Sequence, residues 1–258
     1  MINSRLIKIN LDKGVFYVNI LGSVEEIFVD QVISTLKEAY STLGINPELL
    51  ELYIYESSRV KRDILLGEAL RLGISVIGDY PVSHDAWMSW PRIHVDYEKC
   101  SSLSREYFKA LLYHEAAHSI LHGSLSSYIV SASSIDLGVR GPDLLELVYI
   151  ASVIVKDIEV HEYLTSRGLI QVLQDYFNYV GESLKSTECS SLRGILEFSK
   201  LISPCLFIEC IGVKAKIHSN CRDFYSKVLS VLSTVRSIHG DLNFKVIEFL
   251  EKLLAVIK

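Results

Sequence analysis

The pattern of hydrophobic residues changes near residue 100, and this change constrains the fold of the chain more than any other feature. Before it, short segments with apolar residues at alternate positions, typical of strands, are interleaved with segments that have the helical period of three to four residues. From Ser104 onward almost every segment has the helical period. The sequence therefore predicts an α+β fold, with an N-terminal α/β sheet followed by a mostly α-helical C-terminal half.

The first hundred residues contain strand-like segments and two helices. Turn residues at positions 12–14 join the first two strands into a hairpin. Ser23 is the expected N-cap of the first helix, and Gly44 is its expected end. The predicted strands cover residues 5–9, 15–21, 50–55, 74–77 and 92–97, and the predicted helices cover 24–43 and 58–72. We expect the strand 92–97 to be half buried, because polar and apolar residues alternate along it.

The C-terminal half contains the most apolar segment of the chain, residues 144–155. It is interrupted by Glu146, and it is shorter than the roughly 20 apolar residues that a bilayer span requires. We therefore expect a buried helix and not a membrane span. The predicted helices cover residues 104–122, 143–167, 169–185 and 190–202, with two more before the C-terminus.

The composition excludes several classes of protein. Of 258 residues, 49% are hydrophobic and 22% are charged, which is enough apolar surface to fold and excludes a disordered or fibrous chain. The net charge is −5 and no basic run exceeds two residues, so we expect neither nucleic acid nor a membrane as a partner. The first residues include no long apolar segment of the secretory type, which favours a cytoplasmic location.

The five cysteines are odd in number, widely spaced and without a CxxC motif. This pattern indicates neither a disulfide framework nor a zinc site made of thiolates, and we expect small buried apolar residues. One disulfide among Cys189, Cys205, Cys210 and Cys221 is the alternative.

Residues 114–118 read HEAAH, an HExxH motif, and they are the strongest functional signal in the chain. On a helix, residues i and i+4 lie on one face, one turn apart, so the imidazoles of His114 and His118 can bind one Zn2+. Glu115 lies on an adjacent line of the helix and can reach a water on the metal. The flanking apolar residues predict that this helix begins near Ser104 and ends at Gly123.

An HExxH motif on a long helix that follows a sheet resembles the zincin metallopeptidases, and the resemblance covers about residues 90–168. It implies that the last strand, 92–97, is an edge strand that pairs with the substrate backbone. The HExxHxxGxxH extension of the metzincins is absent. A catalytic zinc has three protein ligands and water, so a gluzincin-like arrangement with the third ligand on a later helix is implied.

A helical wheel selects candidates for this third ligand. Two ionisable residues, Asp157 and His161, fall on the apolar face of the helix that contains the apolar run, whereas Lys156 and Glu159 fall on the opposite face. An ionisable side chain on an apolar face is costly unless it is paired or binds a metal. Asp157 is the expected third ligand, and His161 is the alternative ligand or a partner of one. Glu159 and Glu162 are weaker candidates, and a buried Asp–His hydrogen bond without metal is the remaining alternative.

The resemblance points to the same segment. Gluzincin-type families carry a glutamate ligand followed four residues later by an aspartate or asparagine. Here Asp157 stands at the ligand position and His161 four residues later, so the chain would have an Asp/His variant of the third-ligand helix. Aspartate ligands occur in the aspzincins.

These observations predict a zinc-dependent metallopeptidase with Zn2+ as cofactor and a peptide or protein as substrate. Glu115 would act as general base toward a metal-activated water. We expect a zincin-like domain at residues 1–168 and a helical subdomain at 169–258, whose apolar helix faces could serve the core or a homodimer. The alternative is a zinc-binding regulatory or protein-interaction module with little or no peptidase activity.

Further side chains have less definite expectations. The candidates for stabilising the oxyanion of the reaction are Tyr128, Arg140, Tyr163 and His122, and His122 is more typical of a cation at a helix C-terminus. No site role is expected for His84, His94, His218 and His239. Trp87 and Trp90 are expected to pack over the sheet, with a substrate groove as the alternative.

Overall fold

The structure is a computed structural model that describes residues 3–11, 13–72, 80–131 and 141–257. The chain forms two compact units, Met1–Tyr128 and Ile129–Lys258. A sheet with its helices in the first unit and helices in the second confirm the predicted α+β class. The division expected from the sequence, 1–168 and 169–258, stays a prediction, and the predicted strand 74–77 lies outside the described residues.

The first unit is built on a sheet of five described strands in the order β1-β2-β3-β5-β4. The strands are β1 (Ser4–Leu11), β2 (Gly14–Leu21), β3 (Leu49–Tyr55), β4 (Val82–Asp85) and β5 (Arg92–Asp96). The hairpin of β1 and β2 is antiparallel, as predicted, the pairs β2–β3 and β3–β5 are parallel, and β4 is antiparallel to β5. The helices are α1 (Glu26–Leu43), α2 (Ser58–Leu72), α3 (Tyr97–Cys100) and α4 (Arg105–Leu121).

The core of this unit lies on one face of the sheet, where α1 packs against α4 and α4 contacts β4 and β5. Alternate residues of the inner strands supply the apolar surface of this face, namely Phe16, Val18, Ile20, Leu50, Leu52, Ile54, Ile93 and Val95. The opposite face carries α2, from which Glu68 bonds to Arg92 of β5. Helix α4 therefore packs against the edge of the sheet that β4 and β5 form.

Two expectations about this unit are wrong in detail. The first helix begins at Glu26 and not after Ser23, because the Ser23 N–H is bonded to Glu56 Oε2 at 2.7 Å and its side chain does not cap the helix. Gly44 does end the helix, with a left-handed φ of 76°.

The expected half-buried edge strand is also corrected. All residues of β5 are buried, and β5 lies between β3 and β4. Its polar residues do not face water, because they bond to side chains of β4 and α2. The terminal strand of the described sheet is β4, in a segment for which the sequence predicted no strand.

The second unit is helical, and its central helix is α5 (Pro142–Ser166). The other helices are α6 (Ile170–Val180), α7 (Leu192–Ile202), α8 (Val213–Lys216), α9 (Tyr225–Arg236) and α10 (Leu242–Ile257). Helix α5 packs against α6, α7, α9 and α10, which explains why its sequence is so apolar. Within the described ranges, no helix combines the length and hydrophobicity that a membrane crossing requires. The wheel is wrong for Lys156, which is buried because helices enclose α5 on several sides.

The cysteines of the second unit form two disulfides, so the expectation of unpaired buried thiols is wrong for four of the five cysteines. Cys189 is bonded to Cys221, and Cys205 is bonded to Cys210. Only the fold brings Cys189 to a residue 32 positions away, which the spacing in the sequence does not show. Cys100 is free and buried, as expected.

Candidate metal centre

Helix α4 carries the HExxH motif, and local signals define both of its ends. The Ser104 side chain caps the helix by accepting a hydrogen bond from the Tyr107 N–H, and Glu106 lies in the favourable first turn. The helix ends before His122, whose N–H donates to the His118 carbonyl at 2.7 Å. A Cβ at Gly123 would lie 2.3 Å from the Ser119 carbonyl oxygen, so the chain can turn away here only with glycine. The prediction of this helix from the sequence is confirmed.

The two histidines of the motif are buried and direct the same ring atom toward each other. His114 Nε2 and His118 Nε2 are 3.1 Å apart, with the rings at 73° to one another. Two imidazole nitrogens bound at about 2.0–2.1 Å to one tetrahedral zinc ion are about 3.3 Å apart. The pair therefore fits two adjacent positions around such an ion. Glu115, between them in sequence, is also buried.

Asp157 supplies the third group. His114, His118 and Asp157 are buried, and each offers one ligand atom such that all of these atoms lie within 4.8 Å of one another. This cluster can hold a metal ion, and two imidazoles with one carboxylate suit divalent transition metals. The assignment of Asp157 as a zinc ligand stays a prediction.

The other candidates for the third ligand have different neighbours. The ring of His161 lies 5.5 Å from that of Tyr176, and its Nδ1 is 3.5 Å from Ser203 Oγ. Glu159 bonds to Lys245 Nζ at 2.5 Å, and Glu162 bonds to Arg236. Among the described residues, the cluster that could hold a metal ion contains none of these three side chains.

Two further histidines contact His118: His122, which the sequence offered as a candidate for stabilising the oxyanion, and His84, for which no site role was expected. His122 is buried, unlike a solvated cation at a helix end, and its Nδ1 lies 3.1 Å from His118 Nδ1. The ring of His84, on β4, is nearly parallel to that of His118, with centroids 6.1 Å apart. The helical spacing made His122 visible in the sequence, whereas His84 is brought there by a strand that the sequence did not predict.

The candidates for stabilising an oxyanion are now distinguished by their neighbours. The Tyr128 hydroxyl donates to His84 Nδ1 at 2.8 Å when that nitrogen is the acceptor, so Tyr128 is joined to the histidine that stacks on His118. The Arg167 guanidinium lies over the ring of Tyr163, with its Cζ 5.2 Å from the centroid of that ring. Arg140 lies outside the described residues.

Strand β4 is held in place by a buried polar network on the face of the sheet opposite α4. Arg92 donates to both oxygens of Asp85 at 2.7 and 3.0 Å and to both oxygens of Glu68 at 2.8 and 2.7 Å. His94 Nε2 bonds to Asp85 at 2.7 Å, and His94 Nδ1 bonds to the Tyr55 hydroxyl. These hydrogen bonds fix Asp85, which directly follows His84 in β4.

Electrostatics support an ionised Asp85, with a neutral His94 and a neutral Tyr55, beside the permanent cation Arg92. Burial would raise the pKa of the Asp85 carboxyl, but His94 and the Arg92 guanidinium outweigh it and hold this pKa below its usual range. Burial lowers the pKa of His94 and raises that of Tyr55, so the Tyr55 hydroxyl keeps its proton and donates to His94. His94 is then a neutral donor to Asp85.

No protein-family model, curated protein or solved structure matches this chain. The site is therefore identified by its own geometry: a buried cluster of His114, His118 and Asp157 that can hold a metal ion.

Proposed function

We propose that the protein is a zincin-like, zinc-dependent metallopeptidase that hydrolyses peptide bonds. The observation that carries the proposal is the convergence of His114 Nε2 and His118 Nε2, 3.1 Å apart on α4, beside the carboxylate of Asp157. Three ligands of the types histidine, histidine and carboxylate leave a fourth tetrahedral position open, as in catalytic zinc sites. A purely structural zinc site would have four protein ligands.

Glu115 is the residue to which we assign proton transfer. When bound at this site, zinc lowers the pKa of a water molecule to about 7 and polarises the scissile carbonyl. Glu115 accepts a proton from the attacking water and passes it to the nitrogen of the leaving amine. The Glu115 side chain is only 9% exposed, so this proton is kept away from bulk solvent.

Strand β4 and Tyr128 are the elements that we assign to substrate binding. As the terminal strand of the described sheet, β4 can pair with an extended peptide through its backbone. Tyr128 is hydrogen-bonded to His84, whose ring stacks on that of His118. When His84 Nδ1–H is the donor in that bond, the Tyr128 hydroxyl can donate its own proton elsewhere, and we assign it to the developing oxyanion. The expected substrates are therefore peptides or segments of proteins in extended conformation.

The test compares the wild type with Glu115→Gln and with a matched control, Glu106→Gln, in the exposed first turn of the same helix. Zinc content is measured by elemental mass spectrometry, and cleavage of a peptide library is measured by peptide mass spectrometry. We expect zinc in all three proteins and a loss of cleavage in Glu115→Gln alone, by roughly 10²–10⁴-fold. Absence of bound zinc in the wild type would overturn the proposal.

The ligand assignment has its own comparison on α5. Asp157→Ala removes a member of the cluster, whereas Glu159→Ala removes a carboxylate that pairs with Lys245. We expect a large loss of zinc affinity in the first variant and little change in the second. The reverse order would refute the assignment of Asp157.

Zinc binding without cleavage of any peptide would instead support the regulatory or protein-interaction module. The cytoplasmic location expected from the sequence stays a prediction, and the two disulfides argue against it, because disulfides are rare in reducing compartments. Alkylation of thiols in freshly lysed native cells, followed by mass spectrometry of the four cysteines, would decide between a reducing and an oxidising location.

A further inference from the structure

His122 is fixed to His118 by two contacts, one from its backbone and one from its ring. The His122 N–H donates to the His118 carbonyl oxygen at 2.7 Å, and the two Nδ1 atoms are 3.1 Å apart. Both side chains are buried, with 4% and 7% exposure. The turn at Gly123 directly after His122 keeps the ring at the end of α4, one helical turn beyond His118.

The proton positions follow from the inventory of imidazole donors and acceptors. A histidine that offers Nε2 to a metal has no proton on that nitrogen, so a neutral His118 carries its proton on Nδ1. A contact of 3.1 Å between two nitrogens is a hydrogen bond only if one donates and the other accepts. His118 Nδ1–H is therefore the donor, and His122 Nδ1 is the acceptor.

We propose that His122 is a positioning residue for the metal centre: its Nδ1 accepts the His118 Nδ1–H and so fixes the tautomer and ring orientation in which His118 Nε2 binds the metal. Carboxylates and backbone carbonyls usually accept this hydrogen bond from metal-bound histidines. Here a third histidine, directly after the last residue of the same helix, does so, which makes the functional motif HExxHxxxH at positions 114–122. The inference rests on the proposed metal site, but not on peptidase activity.

Three substitutions at His122 separate the hydrogen bond from the bulk of the ring. His122→Phe keeps a ring and removes the acceptor. In His122→Asn the amide oxygen can take the place of Nδ1, whereas in His122→Gln the amide lies one bond further out, near the position of Nε2. His239→Phe, at an exposed histidine outside the site, is the matched control.

The measurement is the affinity of the metal-free full chain for Zn2+, from competition with a chromophoric chelator at neutral pH. We expect about 10–100-fold weaker binding in His122→Phe and His122→Gln, binding within a few-fold of wild type in His122→Asn, and no change in His239→Phe. The visible absorption of Co2+ bound to the same proteins is a second readout, and we expect His122→Asn to keep the wild-type spectrum and His122→Gln to change it.

The outcomes distinguish this inference from the proposed function. Equal zinc affinity in His122→Asn and His122→Gln would overturn the positioning role, even if both variants bind zinc less tightly than wild type. Only the positioning role predicts that Asn, whose amide lies at the position of Nδ1, binds zinc more tightly than Gln. If His122→Phe does not fold, the Asn and Gln pair still decides. A wild type that binds zinc but cleaves no peptide would overturn the peptidase and leave this inference standing, whereas a wild type that binds no zinc would overturn both.

Discussion

Removal of the Arg92 guanidinium is the perturbation whose effect on the first unit can be worked out most fully. Arg92 is 3% exposed and makes four hydrogen bonds to two carboxylates, those of Glu68 and Asp85. In Arg92→Met the side chain keeps most of its length and loses its charge, so both carboxylates remain in place without their cation. We therefore expect a large loss of stability.

The magnitude follows from burial. Removal of one partner of a buried ion pair costs about 3–5 kcal/mol, because the remaining charge is left without compensation. The carboxylate of Asp85 is 6% exposed and that of Glu68 is 18% exposed, so Asp85 should account for most of the cost. Neutralising the carboxylates as well, with Glu68→Gln and Asp85→Asn, should recover much of the lost stability.

The loss should depend on pH with a definite sign. In the wild type the pKa of Asp85 is depressed, because His94 and Arg92 outweigh the effect of burial. Its stabilising contribution is therefore fully present above the unfolded pKa of about 3.9 and is lost as the pH falls through the folded value. Without Arg92 the carboxyl pKa rises, so protonation begins at higher pH. The deficit of Arg92→Met relative to wild type should then shrink as the pH is lowered from 7 toward 4.

The assay is urea unfolding followed by tryptophan fluorescence, which reports on the first unit because Trp87 and Trp90 are the two tryptophans of the chain. Arg59→Met, which breaks an exposed pair with Asp63 in α2, is the control and should leave the unfolding free energy unchanged. A loss below about 1 kcal/mol in Arg92→Met, or a deficit that does not change between pH 7 and pH 4.5, would refute the reasoning.

Two further predictions concern the stability of the backbone, and both are checked by chemical unfolding followed by circular dichroism. Cys189→Ser opens a loop of 32 residues and should cost about 4 kcal/mol, whereas Cys205→Ser opens a loop of 5 and should cost about 2 kcal/mol; equal costs would contradict the loop-length explanation. Gly67→Ala, where an added Cβ meets nothing within 4 Å in α2, should stabilise by about 0.5–1 kcal/mol, whereas Gly194→Ala, where it would lie 1.8 Å from the Glu188 carbonyl oxygen, should destabilise.

Elements with local signals could be predicted from the sequence. Helix α4 is defined by its cap at Ser104 and by the turn at Gly123, and the hairpin of β1 and β2 is defined by its turn residues. Strand β4 has only four residues and lies beside turn-forming residues, so its pairing with β5 has no local signature. The alternation in β5 was correct as a strand pattern, but a pattern cannot show whether polar residues face water or a buried network.

The candidate site likewise contains residues that local spacing predicts and residues that only the tertiary structure brings together. His114 and His118 follow from spacing on one helix, and the wheel of α5 selected Asp157 because an ionisable side chain interrupted an apolar face. His84 could not be found in this way, since its place beside His118 depends on strand pairing. His122 was visible at helical spacing, but its role depends on burial and on which ring nitrogen it presents.

Disulfide pairing of the other four cysteines leaves Cys100 as the free thiol, and this has a practical consequence. It is 3% exposed, and burial raises the pKa of its thiol to about 12, so only about one molecule in 10⁵ carries the reactive thiolate at pH 7. A thiol-reactive dye should therefore label the native protein very slowly and the unfolded first unit quickly. Cys100 is thus a built-in reporter of opening of the unit that carries the HExxH helix, usable in zinc titrations without any reducing agent.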